Sequence, residues 1–413
     1  MNGKTVIIVG GGIIGINAAC FLGEVGFAVT VIDRDGICKG TSSGNASALA
    51  FSDVMPMAHK GMLKNVPRWL MDPLGPLSIP PSYFPTILPW LLRLVRESSA
   101  AKRAKSVAAQ VAMMRLSETE TLALAARAGV QSMIRADGSL ELYSSEKDFQ
   151  NALSGWEFRR THGVPFEHVR GRRLAELQPG LSPSIIAGTF SPSWRTLSNP
   201  YDYSMALWTY AEKLGAKFLH GVVTSLDGNG DKASVTLASG AQMQADYIIN
   251  AAGAWSHKLA ATIDEKIPLE TERGYNTSLP SSAFDAKRML IFSSDGFVLT
   301  PLSSGIRIGG AVELAGLDIK PNYKRSDAML EKAKRYLPGL KTDGGVQWMG
   351  YRPSLPDTLP AIGPSQKSPR IIHAFGHGHL GLTQSAATGR LLCELISGET
   401  SSLDVTPFSP QRF

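Results

Sequence analysis

The sequence predicts a chain of the α/β plus α+β class, in which a discontinuous Rossmann-like nucleotide-binding domain contains an inserted antiparallel-sheet domain. Three observations lead to this prediction. A glycine-rich turn joins an apolar strand to a helix near the N-terminus, and another opens a helix near the C-terminus. Between them, residues 265–325 alternate in period two, which is typical of antiparallel strands. The two ends of the chain are therefore expected to meet in one domain.

The first turn carries the motif G-x-G-x-x-G at Gly10, Gly12 and Gly15, between an apolar strand at 6–9 and a helix at 13–22. The first glycine permits the turn, the second lets the backbone approach a pyrophosphate, and the third lets helix and strand pack closely. The helix N-terminus adds unpaired N–H groups and a positive dipole end. Asp33 ends the next strand at about the spacing expected of a carboxylate that bonds a ribose hydroxyl. This unit predicts a bound adenine dinucleotide.

Composition narrows the class of protein. The 413 residues are 43% hydrophobic and 19% charged, as in a globular protein with two domains. A net charge of +7 without a basic stripe argues against a nucleic-acid partner. Three cysteines without a C-x-x-C pair argue for a reducing compartment and against a metal site. The apolar stretch 6–23 fits a first strand and helix better than a signal or membrane segment, so a cytoplasmic location is expected.

Patterning along the chain divides it into segments. Residues 1–55, 150–262 and 340–413 are predicted to form the nucleotide-binding domain. Residues 56–149 and 263–339 are predicted to form a substrate-binding domain, including an irregular Pro-rich insertion at 56–105 that holds eight of the 25 prolines. Helices are predicted at 108–128, 200–214, 326–337 and 385–396, and strands at 139–143, 246–250 and 371–375.

Within the insertion, residues 87–95 are apolar and are followed by three basic residues, Lys102, Arg103 and Lys105. This pattern fits an interfacial membrane helix. It also fits a helix or lid that covers the active site, which is the interpretation we favour because the segment is short.

The C-terminal turn, 376–383, repeats the glycine spacing of the first one. Two helix N-termini far apart in sequence suit a ligand with a long polar face, such as FAD, better than NAD. His377 and His379 lack a third ligand for a metal. The G-x-S-x-G match at 40–44 lacks the preceding strand that a nucleophile elbow requires. Arg352 can bind a carboxylate bidentately, although the residue alone fits a surface ion pair better.

Four segments together resemble the D-amino-acid oxidase superfamily of flavoproteins, and within it bacterial D-amino-acid dehydrogenases, including D-hydroxyproline dehydrogenases. They are VIIVGGGIIGINAA with VIDR, GTSSGNAS, INAAGAWS, and MGYRPSLPDTLPAIGPS with FGHGHLGLTQSAATG. The resemblance covers essentially the whole chain. It implies noncovalently bound FAD and no metal.

The resemblance also implies site residues. The cofactor-binding set is Gly10, Gly12, Ile13, Ile14, Gly15, Asp33, Arg34, Thr41, Ser42, Asn45, Ala46, Val223, Ala252, Gly253, Trp255, Gly350, Gly363, Gly378, His379, Leu380, Gly381 and Thr383. The catalytic and pocket set is Arg352, which would grip the substrate carboxylate, with His379, Tyr275 and Glu313. The chain departs from its relatives at Asp33, where a Glu is frequent. It also departs at Phe297, which lacks the hydroxyl that the corresponding aromatic residue of several relatives offers to the substrate.

The implied reaction is oxidation of a D-amino or cyclic imino acid by hydride transfer from Cα to flavin N5. Electrons would pass to a quinone or another acceptor, and the enzyme would contact the inner membrane face peripherally. Three alternatives remain open: an oxidase of the same fold that uses O2, an NAD-dependent dehydrogenase, and a non-catalytic flavin-bound subunit at the membrane.

Overall fold

The computed structural model describes residues 3–55 and 75–413. Its helices are α1 (Ile13–Glu24), α2 (Phe84–Glu97), α3 (Ala100–Ala128), α4 (Glu146–Thr161), α5 (Gly171–Leu177), α6 (Pro200–Lys213), α7 (Ser256–Ala261), α8 (Lys324–Tyr336) and α9 (Gly381–Ser397). Its strands are β1 (Thr5–Val9), β2 (Ala28–Asp33), β3 (Ala48–Leu49), β4 (Leu77–Ser78), β5 (Ile134–Arg135), β6 (Ser139–Tyr143), β7 (Glu167–Val169), β8 (Ala187–Ser191), β9 (Arg195–Leu197), β10 (Lys217–His220), β11 (Val223–Asp227), β12 (Ala233–Leu237), β13 (Gln242–Ala245), β14 (Tyr247–Asn250), β15 (Glu270–Leu279), β16 (Met289–Phe292), β17 (Phe297–Leu302), β18 (Gly305–Leu314), β19 (Val346–Ser354), β20 (Ala361–Pro364) and β21 (Ile371–Phe375).

A six-stranded sheet brings the two ends of the chain together in the order β10-β2-β1-β14-β21-β20. All neighbours are parallel except the edge pair β20 and β21. Strands from the start, middle and end of the sequence therefore share one sheet, and the predicted discontinuous Rossmann-like fold is confirmed.

Both faces of this sheet are buried, which explains why its strands read as continuous apolar runs. Side chains such as Ile8 and Val31 pack against helices α1, α3, α6 and α9 on one face. On the other face, Ile7 and Ile248 pack against α7 and the small antiparallel sheet β11-β12-β13. Asn199 caps α6 as predicted, because its side chain accepts hydrogen bonds from the first turn of the helix.

A second, largely antiparallel sheet runs in the order β19-β15-β18-β17-β16-β6-β8-β7, with β4 beside β18. One of its faces packs on α8 through a core that includes Phe297, Leu299 and Met329. The strands at 265–325 that period two predicted form the centre of this sheet, so the predicted antiparallel-sheet portion of the fold is present.

Strand pairing differs from the predicted segment boundaries in two places. Strands β7 and β8 lie in the segment 150–262 that we assigned to the nucleotide-binding domain, yet both join the large sheet through β6. Strand β19, in the segment 340–413, also joins the large sheet. The physical reason is that pairing across the sheet, rather than order along the chain, decides membership. The division into two domains stays a prediction.

The Pro-rich insertion is helical in the part that the structure describes beyond residue 83. Helix α2 contains the predicted helical segment 87–95 and begins with Pro85 in its first turn, where a missing N–H costs nothing. Pro56, Pro67 and Pro73 lie outside the described residues. Among residues 3–55 and 75–413, no helix has the combined length and apolar character needed to cross a bilayer.

Candidate FAD and substrate site

A cleft of about 600 Å³ lies along the carboxyl ends of the parallel strands β1, β2, β14 and β21. This is where open α/β sheets bind their ligands, and the volume is in the usual range for cofactor sites. Of the predicted cofactor residues, the following line it: Gly10, Gly12, Ile13, Ile14, Asp33, Arg34, Thr41, Ser42, Val223, Ala252, Gly253, Trp255, Gly350, Gly378 and Gly381.

The glycines at the start of α1 form a cradle that side chains would fill. A Cβ on Gly10 would overlap the carbonyl of Ala251 in the neighbouring strand, and the residue has φ +117. A Cβ on Gly15 would overlap the carbonyl oxygen of Gly10. The Ser42 hydroxyl accepts a hydrogen bond of 2.9 Å from Ile13 N, so it lies at the helix N-terminus rather than on a nucleophile elbow. The backbone can therefore approach a pyrophosphate closely here.

Helix α9 directs a second N-terminus into the same cleft, since its first residue Gly381 and the preceding His377 and Gly378 belong to the lining. The two helices cross closely because Gly389 of α9 leaves room for Asn17 and Phe21 of α1. Two partially positive helix ends thus face one elongated cleft, which suits the length and anionic character of FAD.

The adenosine end of the cleft is held by a fixed carboxylate and an aromatic pair. Asp33 accepts hydrogen bonds from the backbone N–H of Gly11 at 2.8 Å and of Asp35 at 2.8 Å, which fixes its carboxylate at the end of β2. The Arg34 guanidinium stacks 3.7 Å above the Trp255 ring. These groups fit a ribose and an adenine ring.

The remaining predicted cofactor residues support the cleft from outside its lining. Thr383 binds Ala50 N and so ties α9 to the strand after the serine-rich loop. Asn45 and Ala46 use their carbonyls to accept hydrogen bonds from Arg307 and from Thr300 of the large sheet. The others are Gly15 beneath the first turn, Gly363 beside Pro410 at the sheet edge, and His379 and Leu380 in the turn before α9.

Register in the large sheet assigns each side chain to one of its two faces, and Trp348 of β19 lines the cleft. Glu272 pairs directly with Arg352, and Asn276 pairs with Trp348, so these side chains project from one face, which we call the cleft face. Asn276 Nδ2 donates to the Gly44 carbonyl at 2.8 Å, and the Trp348 ring packs on Gly44. The cleft face therefore looks onto the loop that leads from Asp33 to the flavin end.

Tyr275 and Glu313, which the sequence analysis placed in the pocket, project from the opposite face. Tyr275 alternates with Asn276 along β15, and Glu313 pairs with Arg273. The Tyr275 hydroxyl donates to Glu313 at 2.5 Å and accepts from Asn322 N, so both groups are satisfied beneath α8 and its preceding loop. The structure thus corrects their assignment, because the pleat separates them from Arg352.

Phe297 is likewise a core residue, 1% exposed and stacked on Phe292. The neighbouring Val298 pairs with Gly309 opposite Asn276 and belongs to the cleft face. An aromatic hydroxyl from this strand is therefore absent from the site face, and an apolar side chain stands there instead.

Arg352 is a partly buried cation on the cleft face. Its Nη1 donates to the Ala311 carbonyl at 3.2 Å, where a bulge between β15 and β18 gives Ala311 a φ of +55. Its guanidinium lies over Gly274, whose missing side chain provides the space. Burial lowers the pKa of Arg352, and Glu272 offsets part of this effect. A desolvated guanidinium with free donors is a binding group for a carboxylate.

His379 also reaches the cleft face, with Nδ1 3.6 Å from Glu272 Oε2. Desolvation lowers the pKa of His379, with Glu272 acting in the other direction. The sequence analysis named Arg352 and His379 as site residues, which stays a prediction, and did not single out Glu272, Asn276 and Trp348, which share the cleft face. The signal for these three was only their position on strands flanking the predicted Arg352.

A buried histidine in the cleft wall has a measurable consequence. His377 is 4% exposed, and burial lowers its pKa to about 3. His377 stays neutral in the folded chain, while in the unfolded chain it takes up a proton below about pH 6.5. The free energy of unfolding therefore decreases as the pH is lowered. We expect this site to remove about 2 kcal/mol of unfolding free energy between pH 7.5 and pH 5. His377→Gln should reduce that loss in urea unfolding, whereas His162→Gln should not; equal pH slopes in all three proteins would contradict the expectation.

The fold, the glycine cradle and the paired helix ends define a flavin-dependent dinucleotide site, and comparison with known proteins agrees. The model of the FAD dependent oxidoreductase family matches residues 5–395. A D-amino-acid oxidase of Bradyrhizobium diazoefficiens is 35% identical, over 100% of this chain and 99% of that protein. A D-amino acid dehydrogenase of Xylella fastidiosa is 30% identical, over 95% of this chain and 91% of its own length.

Among solved structures, a glycine oxidase from Geobacillus kaustophilus has the same fold, with a TM-score of 0.76, 20% identity and coverage of 99% of both chains. The chain belongs to the FAD-dependent oxidoreductase family. The predicted fold class, FAD cofactor and oxidoreductase activity are thereby confirmed, and the predicted oxidation of amino acids agrees with the names of these relatives.

Proposed function

We propose that the protein oxidises D-amino acids or cyclic imino acids at Cα and passes the electrons to a quinone or another acceptor. The observation that carries this proposal is Arg352, a desolvated guanidinium on β19, whose neighbours Tyr351 and Pro353 line the cleft. The D-amino-acid enzymes among the relatives above support the substrate class.

In this proposal the lining residues of the cleft hold FAD. The N-termini of α1 and α9 face its phosphates and flavin, and Asp33 bonds its ribose. FAD, when bound, supplies the acceptor for two electrons and a hydride. Arg352 fixes the substrate by its carboxylate, which orients Cα–H and contributes to the rate through positioning.

A screen of the purified holoenzyme tests the reaction. Anaerobic addition of a D-amino acid or D-proline should bleach the visible absorbance of the flavin, whereas the L-enantiomer should bleach it much more slowly. Absence of bleaching by every D-amino and imino acid in the screen would overturn the proposal.

An oxidase that uses O2 is the second candidate, because the relative at 35% identity over the full chain is a D-amino-acid oxidase. Steady-state rates separate the two. Quinone or dye reduction that greatly exceeds O2 consumption supports the dehydrogenase, and the reverse supports the oxidase.

Helix α2 supports a peripheral contact with an anionic membrane surface. Phe84, Leu88, Leu92 and Val95 lie on one side of the helix and are exposed, Leu92 to 62% and Val95 to 56%. Arg93 and Arg96 are exposed beside them. An apolar stripe flanked by arginines is complementary to anionic lipid headgroups over acyl chains.

We expect the double variant Leu92→Glu, Val95→Glu to bind anionic vesicles about tenfold or more weakly in flotation. The change replaces apolar side chains that would insert among the acyl chains by charges of the same sign as the headgroups. Val346→Glu, at an equally exposed apolar residue on β19, is the matched control and should float normally. Flotation of the double variant equal to that of the original protein would contradict a membrane role for α2.

A further inference from the structure

Glu272 is a buried carboxylate on the cleft face that the reaction described so far does not use. It is 5% exposed and stands directly opposite Arg352 across the β15–β19 pair. Within the described residues, its Oε2 accepts no hydrogen bond. A buried acceptor without a donor is costly, so the arrangement calls for a donor that arrives with a ligand.

The neighbouring charged groups do not meet this need. Arg352 leans over Gly274 and donates to the Ala311 carbonyl, and no ion pair joins it to Glu272 in the described part of the chain. His379 Nδ1 lies at 3.6 Å, beyond a hydrogen bond.

The spacing fits the two charged groups of an amino acid. Side chains directly opposite each other in an antiparallel pair have Cβ atoms about 5 Å apart. A carboxylate bound to Arg352 therefore has its own α-amino group within reach of the opposite residue, whereas a distal side-chain cation would extend past it. One strand pair thus offers both a cation and an anion from directly paired positions, as the two charged ends of a zwitterion require.

We propose that Glu272 binds the α-ammonium group of the substrate and receives its proton, an inference that rests on the amino-acid oxidation proposed above. The N–H bond breaks and an O–H bond forms on Glu272, which leaves the nitrogen lone pair free. FAD, when bound, would supply the acceptor for the hydride that leaves Cα with its electron pair, and the freed nitrogen lone pair would become the second bond of the C=N group. Glu272 holds the proton until the iminium product leaves.

The charged and titratable groups around Glu272 come from four elements. Arg352 faces it from β19, and His379 faces it from the turn before α9. Glu270 lies two residues away on β15, and Asp53 acts on His379 from the loop after β3.

The test compares two ligands in the holoenzyme under anaerobic conditions. D-Alanine carries both charged groups, and propionate carries only the carboxylate. Glu272→Gln should weaken D-alanine binding by about 10- to 100-fold, as expected for loss of a charge-assisted hydrogen bond, while propionate binds equally or more tightly. The absorbance of the flavin measures the binding of both ligands. Glu331→Gln, at an exposed carboxylate on α8, should change the binding of neither ligand.

The pH profile gives an independent readout. In Glu272→Gln the substrate must lose its proton in solution, so the rising limb of kcat/KM should move up by about one pH unit or more, and Glu272→Asp should restore part of the shift. Glu272→Leu repeats the ligand comparison if the Gln variant fails to retain FAD.

The outcomes separate the two proposals. Equal loss of D-alanine and propionate binding, or unchanged D-alanine binding, overturns the role of Glu272 while leaving amino-acid oxidation intact. Failure of the unaltered enzyme to be reduced by any D-amino acid overturns the proposed function itself.

Discussion

Arg352→Ala is expected to lower kcat/KM for D-amino acids by about 30-fold to several thousandfold. Removing one partner of a buried, hydrogen-bonded charge pair costs about 2–5 kcal/mol, and each 1.36 kcal/mol is about tenfold in rate. The loss arises because the substrate carboxylate would enter a desolvated site without its counter-charge. Arg352→Lys should recover only part of the activity, since an ammonium cannot form the bidentate pair.

Steady-state kinetics with a D-amino acid and an artificial electron acceptor measure this effect. Arg335→Ala removes an exposed arginine at the end of α8 and serves as the control, with activity close to that of the original enzyme. Because Arg352 also bonds the Ala311 carbonyl, FAD content should be measured for each variant. A fully flavinated Arg352→Ala enzyme with unchanged kcat/KM would remove Arg352 from the site.

Gly15→Ala is expected to raise the dissociation constant for FAD by tenfold or more. The added Cβ would overlap the Gly10 carbonyl oxygen and lie 3.2 Å from Ile8 Cγ2, so α1 must move away from β1. Overpacking of this kind typically costs about 1–3 kcal/mol, which exceeds the gain of about 1 kcal/mol that alanine brings to a helix. The shift carries Gly12 and Ile13, at the helix N-terminus, out of position for the pyrophosphate.

The flavin-to-protein ratio after purification and FAD titration of the apoprotein, followed by tryptophan fluorescence, measure this change. Trp255 lies in the cleft wall and reports on occupation of the adenosine end. Gly339→Ala is the matched control, since a Cβ there meets nothing within 4 Å. Normal FAD affinity in Gly15→Ala would show that FAD binding does not require the close packing of α1 on β1.

Several parts of the site could be predicted because the signal is local. Gly10, Gly12 and Gly15 act within one strand–turn–helix unit, and their spacing alone requires a tight turn and a close helix. Asp33 follows at the end of the next strand, where its carboxylate is found. Arg352 and His379 came from the family resemblance, and the structure brings both to the cleft face.

The face of the large sheet was not predictable in this way. Tyr275, Glu313 and Phe297 carry suitable chemistry, yet all three lie on the core face beneath α8. Side chains alternate along a strand, so a shift of one residue in register exchanges the faces. The bulge between β15 and β18 adds a further displacement that no local pattern indicates. Glu272 lies two residues from Gly274, and no local pattern distinguishes it from the other polar residues of β15.

The sequence by itself determined the nucleotide-binding unit, the antiparallel insertion and the flavoprotein family, because these depend on periodicity and on glycines at fixed spacing. Only the tertiary structure decided that β7 and β8 belong to the large sheet, that α1 and α9 open into one cleft, and that Arg352 and Glu272 stand side by side. Those facts depend on pairing between strands that are far apart in the chain. Such pairing is set by the packing of the whole core, which no local stretch of sequence contains.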